Sequence, residues 1–297
     1  MLLAKSTFPA TMGEWVQGWI GGRESLVSLV VDWRGCVELH ENASFAASPG
    51  AAGEKARKAF EKAKTLYPGK GLEDCCVCVK NPLPVARGFA TSTMDIAGVF
   101  ASCAAYAGEE LSEERLFSLC TGQEASDGIM FEGLALVDHL GGYLIERLPL
   151  PPPVEMLVIL PDRTLDTSDY RENAARMRAV KTLAREYERA YDILKRGLSE
   201  GDPELIAEAS SLSASLQQIV MPRDEWDLLV ESRRLFGALG IAVAHSGTAS
   251  ALLFEGGNSS GMYAAREWFA DRFFGHNADI KMTKAAGGGF LVEKLCS

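Results

Sequence analysis

Positive charge is in short supply: 30 Lys and Arg stand against 40 Asp and Glu in 297 residues, a formal net charge of −10. That excludes a general electrostatic grip on nucleic acid or anionic lipid, while leaving room for a local basic pocket that takes a phosphate. Long apolar runs are missing as well. The longest, around 29–31 and 156–160, fall far below the roughly 18 residues of a membrane span, so no transmembrane helix is expected. The start, Met1-Leu2-Leu3-Ala4-Lys5-Ser6, lacks the apolar core of a secretory signal because Lys5 interrupts it and Pro9 follows, and a cytoplasmic location is expected. Seven cysteines are an odd number in a chain of ordinary size, which fits reduced thiols better than a disulfide framework. No GxxxxGK[ST] and no GxGxxG after a strand occurs, which removes the usual sequence support for P-loop and dinucleotide-binding chemistry.

What is present describes a chain that folds. Hydrophobic residues make up 47%, charged residues 24%, and mean hydropathy is +0.01, values of an ordinary globular protein. The length suits two modest domains, and Leu148-Pro149-Leu150-Pro151-Pro152-Pro153, which can continue neither a helix nor a central strand, marks the expected boundary between residues 1–150 and 151–297.

Before that boundary the pattern predicts a β-hairpin, Ser25 to Asp32 and Cys36 to His40, turned by Trp33-Arg34-Gly35. A helix follows over Ala52 to Leu66. Cys75, Cys76 and Cys78 lie in a short apolar run with no histidine nearby in sequence and read as a buried strand rather than a metal site. A buried helix is predicted over Thr91 to Ala107 and a second, capped by Ser112, to about Cys120. After the boundary come a strand, Met156 to Leu160, and helices at about Tyr170 to Arg196, Pro203 to Gln217 and Asp224 to Leu239, the last with Gly240 as its C-cap. Strands Ile241 to Ala244 and Ala249 to Phe254 flank His245-Ser246-Gly247-Thr248. A helix over Met262 to Phe273 precedes a final hairpin, Ile280 to Lys284 and Phe290 to Leu295, turned by Gly287-Gly288-Gly289. The charge-rich helix near 170–196, with Glu186 and Arg189 as an attractive i,i+3 pair, reads as a solvated face; its alternative use is a regulatory or oligomer contact, such as that of a homodimer.

The most informative stretch is Pro84-Val85-Ala86-Arg87-Gly88-Phe89-Ala90-Thr91-Ser92-Thr93, between a strand and a helix. Small residues at Gly88 and Ala90 let backbone approach a ligand, and the helix start that follows offers unpaired N–H donors at a positive dipole end. Three hydroxyls, Thr91, Ser92 and Thr93, add donors and an oxygen ligand for Mg²⁺. The competing reading is a hydroxyl-capped helix and nothing more.

This loop resembles the second signature of the GHMP kinase superfamily, P-x-x-x-G-[LM]-[GA]-[ST]-S-[AST], with Phe89 the one departure. Pro9-Ala10-Thr11-Met12-Gly13-Glu14 resembles its first signature, and His245-Ser246-Gly247-Thr248 its glycine-rich third. Within the superfamily the surroundings are most similar to the L-threonine kinase branch, through Gly13-Glu14-Trp15-Val16-Gln17-Gly18-Trp19-Ile20-Gly21-Gly22, Ser92-Thr93-Met94-Asp95-Ile96 and Glu124-Ala125-Ser126-Asp127.

The resemblance implies an α+β fold of two domains, the site lying between an N-terminal mixed α/β domain and a C-terminal α+β domain. It implies ATP phosphates on Pro84, Arg87, Gly88, Phe89, Ala90, Thr91, Ser92 and Thr93, and Mg²⁺ on Ser92 and Glu124. Asp127 is the implied base toward the acceptor hydroxyl, its role exchangeable with that of Glu124. Glu14, Gln17, Ser246 and Gly247 are the implied substrate contacts, Glu14 and Gln17 having the polarity to hold an ammonium group. The implied acceptor is the side-chain hydroxyl of L-threonine, giving O-phospho-L-threonine for the aminopropanol linker of cobalamin. Homoserine or serine, and a non-catalytic ligand-binding relic, are the alternatives. The partner class is a small-molecule amino acid, with neither nucleic acid nor membrane.

Overall fold

Gly21 and Gly22 both take positive φ, 61° and 80°, the geometry of a two-residue hairpin turn. They join β1 (Leu2–Ile20) to β2 (Arg23–Glu41), two 19-residue antiparallel strands that form the spine of the computed structural model. It describes residues 1–41, 52–162, 174–257, 259–272 and 279–295. The hairpin predicted inside 25–40 is therefore a single strand. Its supposed turn is a bulge: the register jumps from Pro9↔Arg34 to Ala10↔Val31 and leaves Asp32 and Trp33 without partners on β1.

The helices before the proline stretch lie where the pattern puts them: α1 (Glu54–Leu66), α2 (Thr91–Ala107) and α3 (Glu113–Thr121), whose cap Ser112 accepts from the Arg115 amide. Between α1 and α2 runs β3 (Cys75–Lys80) on the second half of β2. Its register sets His40 opposite Cys76, a neighbour that sequence distance hides; even so, no three metal-ligating side chains converge among the described residues. The α2 helix lies close on the spine because Gly98 has no Cβ, which would stand 2.4 Å from a Val37 methyl, and Ser6 Oγ donates to the Gly98 carbonyl at 2.8 Å.

Strands β4 (Leu134–Asp138) and β5 (Tyr143–Leu148) extend the sheet beside the first half of β2. The prolines then carry the chain from β5, at one end of the sheet, to β6 (Val154–Leu160), one strand from the other end. Helices α4 (Ala174–Thr182), α5 (Ala184–Glu200), α6 (Pro203–Val220) and α7 (Trp226–Phe236) follow. The single helix predicted over 170–196 is thus broken at Leu183, and its first residues, 170–173, lie outside the described ones. Gly237, at φ 66°, caps α7. Gly240 instead opens β7 (Gly240–Val243), where a Cβ would stand 2.4 Å from the Ala207 carbonyl oxygen.

Strand β8 (Ser250–Glu255), α8 (Ser259–Arg272), β9 (Asp279–Lys284) and β10 (Leu291–Lys294) complete the chain. The order is β5-β4-β2-β1-β7-β8-β6-β9, with β3 on β2 and β10 on β1. The last two strands form no hairpin: β9 pairs with β6 and β10 with β1. The glycines between them do not turn the chain back; the Gly288 and Gly289 amides donate to the carbonyls of Gly133 and Ile129. One core cluster runs through both halves of the chain; a second, around Leu157, Leu229, Phe254 and Phe269, lies wholly after the prolines.

Candidate active site

The three glycine-bearing segments far apart in sequence meet at one place. The Gly88 carbonyl accepts from the Gly13 amide (2.9 Å) and Thr11 Oγ1 (3.1 Å), and the Arg87 carbonyl accepts from the Ala249 amide (3.0 Å). Gly88 has φ 98°, and a Cβ on it would stand 2.1 Å from that of Ala244; a Cβ on Gly247 would stand 2.4 Å from the Arg87 carbonyl. The loop is thus clamped between β1 and the 244–249 turn, at positions only glycine fills. Phe89, the departure from the signature, is buried and meets Trp33 edge-on with ring centroids 5.5 Å apart. The bulge in β2 is what aims Trp33 there.

Ala90 is the N-cap of α2, at φ 57° and with no side-chain cap. The hydroxyls of 91–93 are therefore not spent on capping, and the first amides of α2 point out of the helix start as donors. Thr93 Oγ1 donates to Asp127 Oδ2 and accepts from the Asp127 amide, both at 3.2 Å, which fixes that carboxylate over the start of α2. A cavity of about 50 Å³ is lined by residues 88–93 and by Glu14, Lys55, Glu124, Asp127 and Ser246. The predicted residues among them come together.

Others of the predicted set do not. Pro84 is exposed and does not line the cavity. Arg87 turns away from the cavity, to the Pro161 carbonyl, Thr248 Oγ1 (3.5 Å) and Asp162 (3.5 Å), so it ties the loop to the second half of the chain. Gly247 lies under the loop as a spacer. Gln17 is buried behind Glu14 and does not line the cavity, and its Oε1 has no partner among the described residues.

Glu14 carries an attachment that the sequence does not reveal. Its Oε2 accepts from the His245 amide (2.9 Å) and faces His245 Nδ1 at 3.0 Å. His245 Nε2 stands 3.3 Å from Ser213 Oγ, which in turn accepts from the Gln17 amide (3.2 Å), and Gln217 Nε2 donates to the His245 carbonyl (3.0 Å). With Nδ1 as donor to the carboxylate, Nε2 is the acceptor for the Ser213 hydroxyl. The buried His245 is thus the group that aims Glu14.

The other missed residue is Lys55, on the first turn of α1. Its Nζ stands 2.6 Å from Glu124 Oε2 and donates to Ser92 Oγ at 3.0 Å. The two oxygens expected to hold a metal therefore already converge on a cation. Among the described residues no group of three or more His, Cys, Asp or Glu converges to hold a metal, at this site or elsewhere. One carboxylate and one hydroxyl fit Mg²⁺, which keeps water and phosphate oxygens as its other ligands.

No family model matches the chain. It is 31% identical over 257 residues to the L-threonine kinase of Salmonella typhimurium, covering 85% of this chain and 83% of that one. It is 30% identical over 253 residues to the L-threonine kinase of Citrobacter freundii, covering 85% and 87%. The chain belongs to the L-threonine kinase family. As a member it is an ATP-dependent kinase acting on a hydroxyl group. Its fold is that of the GHMP kinases. The homoserine kinase of Cytophaga hutchinsonii superposes with a TM-score of 0.68 at 15% identity, over 98% of this chain and 97% of that one. A chain solved in complex with AMPPCP and magnesium superposes with a TM-score of 0.68 at 16% identity, over 99% and 100%. Among the described residues of this family member no helix is long and apolar enough to cross a membrane.

Proposed function

We propose that this kinase phosphorylates the side-chain hydroxyl of free L-threonine to O-phospho-L-threonine, with ADP as the second product, and that it serves the aminopropanol linker of cobalamin in the cytoplasm. Two relatives bearing the name L-threonine kinase support the acceptor. The observation that carries the chemistry is Asp127, fixed by Thr93 over the same helix start that presents the phosphate-binding amides.

Phosphoryl transfer asks for positioning and charge stabilisation more than for covalent help. The amides of 91–93 take the phosphate oxygens of ATP. Ser92 and Glu124 would hold Mg²⁺, which neutralises charge developing on the phosphates. Asp127 accepts the acceptor's hydroxyl proton as the new O–P bond forms and the bond to the β-phosphate oxygen breaks, the electron pair leaving with ADP. Glu14, held by His245, faces the acceptor's ammonium group. In the same reading residues 1–150 and 151–297 are two domains with the cleft between them, and Arg87 crosses from one to the other.

Purified protein with Mg-ATP is to be given L-threonine, L-serine, L-homoserine, D-threonine or aminopropanol, with ADP release followed and the product weighed by mass spectrometry. L-threonine is expected to have the highest kcat/KM. One methyl or methylene changes binding in an apolar pocket by only about 1–3 kcal/mol, so weaker turnover of serine or homoserine is part of the expectation. Asp127→Asn and Glu124→Gln are expected to lower kcat at least about 100-fold with folding retained. Near-normal turnover in both variants would sink the mechanism, and a better acceptor than L-threonine would replace it as substrate.

A further inference from the structure

The cavity over the phosphate loop measures about 50 Å³ and opens to solvent. Next to it a groove of about 640 Å³ opens between α1 and α3, lined by Lys58, Lys62 and Arg115. Lys55 lines both and stands between them. It is also the one basic side chain among the described residues that lines the smaller cavity, against the carboxylates of Glu14, Glu124 and Asp127. A nucleotide polyphosphate brought into that company meets net negative charge unless the ammonium reaches it.

We propose that Lys55 is a phosphate-binding residue that changes partners. In the structure its ammonium holds Ser92 and Glu124. With Mg-nucleotide present it releases both oxygens to the divalent cation and moves onto the phosphates. Both cannot sit at once between two oxygens that lie 3.0 and 2.6 Å from Nζ. Lys55 is about half exposed and its stem is flexible, so the exchange needs only side-chain rotation. The proposal rests on the phosphotransfer reading above.

The test is equilibrium binding of a fluorescent ATP analogue with Mg²⁺ and no acceptor, together with titration of Mn²⁺ alone followed by electron paramagnetic resonance. Lys55→Met is expected to weaken nucleotide binding about 10- to 100-fold, the worth of a hydrogen bond to a charged group, and to lower kcat with L-threonine. The same variant is expected to bind Mn²⁺ alone more tightly than wild type, since a competing cation is gone. Lys55→Arg keeps nucleotide affinity closer to wild type than Lys55→Met does. Nucleotide affinity within about twofold of wild type in Lys55→Met overturns the assignment. Weakened nucleotide binding with unchanged Mn²⁺ affinity overturns the exchange. Because no acceptor is present, a wrong choice of acceptor leaves these results standing, whereas a wild-type protein that binds no nucleotide removes the phosphotransfer reading and this proposal together.

Discussion

Asp95, one turn into α2, accepts from Asn81 Nδ2 at 3.3 Å, and burial pushes its carboxyl up to about 6 in spite of that bond and of nearby Lys55. It does not line the cavity, so its place beside the site is structural. A carboxyl raised in this way binds its proton more tightly in the folded state. The folded protein therefore loses stability as pH rises from the ordinary value of 3.8 through about 6, and the loss is complete above that. Asp95→Asn, which cannot ionise, is expected to be more stable than wild type by about 1–3 kcal/mol near pH 7.5, the gap closing toward pH 4. Urea unfolding at the two pH values measures it; a gap of the same size at both would show that ionisation is not the cause. Lys55 was invisible in the sequence for a physical reason. On the helix 54–66 it is one of several lysines on a solvated face, and only the packing of α1 against α2 sets it beside Glu124. The loop 88–93 stands out in the sequence through its small residues before a helix start, whereas Glu124 and Asp127 come from the family resemblance alone, because Glu124-Ala125-Ser126-Asp127-Gly128 by itself has the composition of an ordinary turn.

At the scale of elements, the clamp on the phosphate loop makes a sharp prediction. Alanine at Gly88 puts a Cβ 2.1 Å from that of Ala244 on a backbone at φ 98°, so the loop must shift off the 244–249 turn. Gly88→Ala is expected to lose nucleotide binding at least about tenfold and to cost about 1–3 kcal/mol of stability, read by calorimetric titration and thermal unfolding. Binding equal to wild type would mean that the loop does not cradle phosphate. The elements themselves divide by range. Helices α1 to α3 could be read because caps and apolar spacing are local. The bulge at Asp32 and Trp33 reads as a turn in the sequence because Trp33-Arg34-Gly35 has the composition of both, and only pairing with β1 decides between them. The final strands were misread for a similar reason: adjacent strands separated by glycines suggest a hairpin, but β9 and β10 find partners that lie more than a hundred residues away.

On the scale of the whole molecule, one buried ion pair fastens the two halves. Arg176 of α4 gives Glu24 of β2 two bonds, at 2.6 and 2.7 Å, with both side chains almost fully buried. Burial alone would raise Glu24, but the bonds from Arg176, with His139 alongside, outweigh it and hold its carboxyl below the ordinary 4.5. Its contribution to stability is full above that value and is lost as pH falls through the lowered one. Glu24→Gln is expected to destabilise the protein by about 3–5 kcal/mol at neutral pH, since the guanidinium stays buried without its carboxylate. The double change Glu24→Leu with Arg176→Met is expected to cost less than the single one. Denaturant unfolding of the three proteins decides the matter: a double variant weaker than Glu24→Gln would refute the argument.

The first and last strands of the sheet are neighbours, Ala4 facing Lys294 and Thr7 facing Leu291. During synthesis at roughly 5–20 residues per second, β2 leaves the ribosome roughly 12–50 s before β10 can join the sheet. For that interval the edge of β1 over Ala4–Thr7 stands open, with unpaired amides and carbonyls. The nascent chain is most exposed to strand pairing with other chains during this wait, and the yield of active protein should depend more on translation speed and temperature at that stage than on the stability of the finished fold.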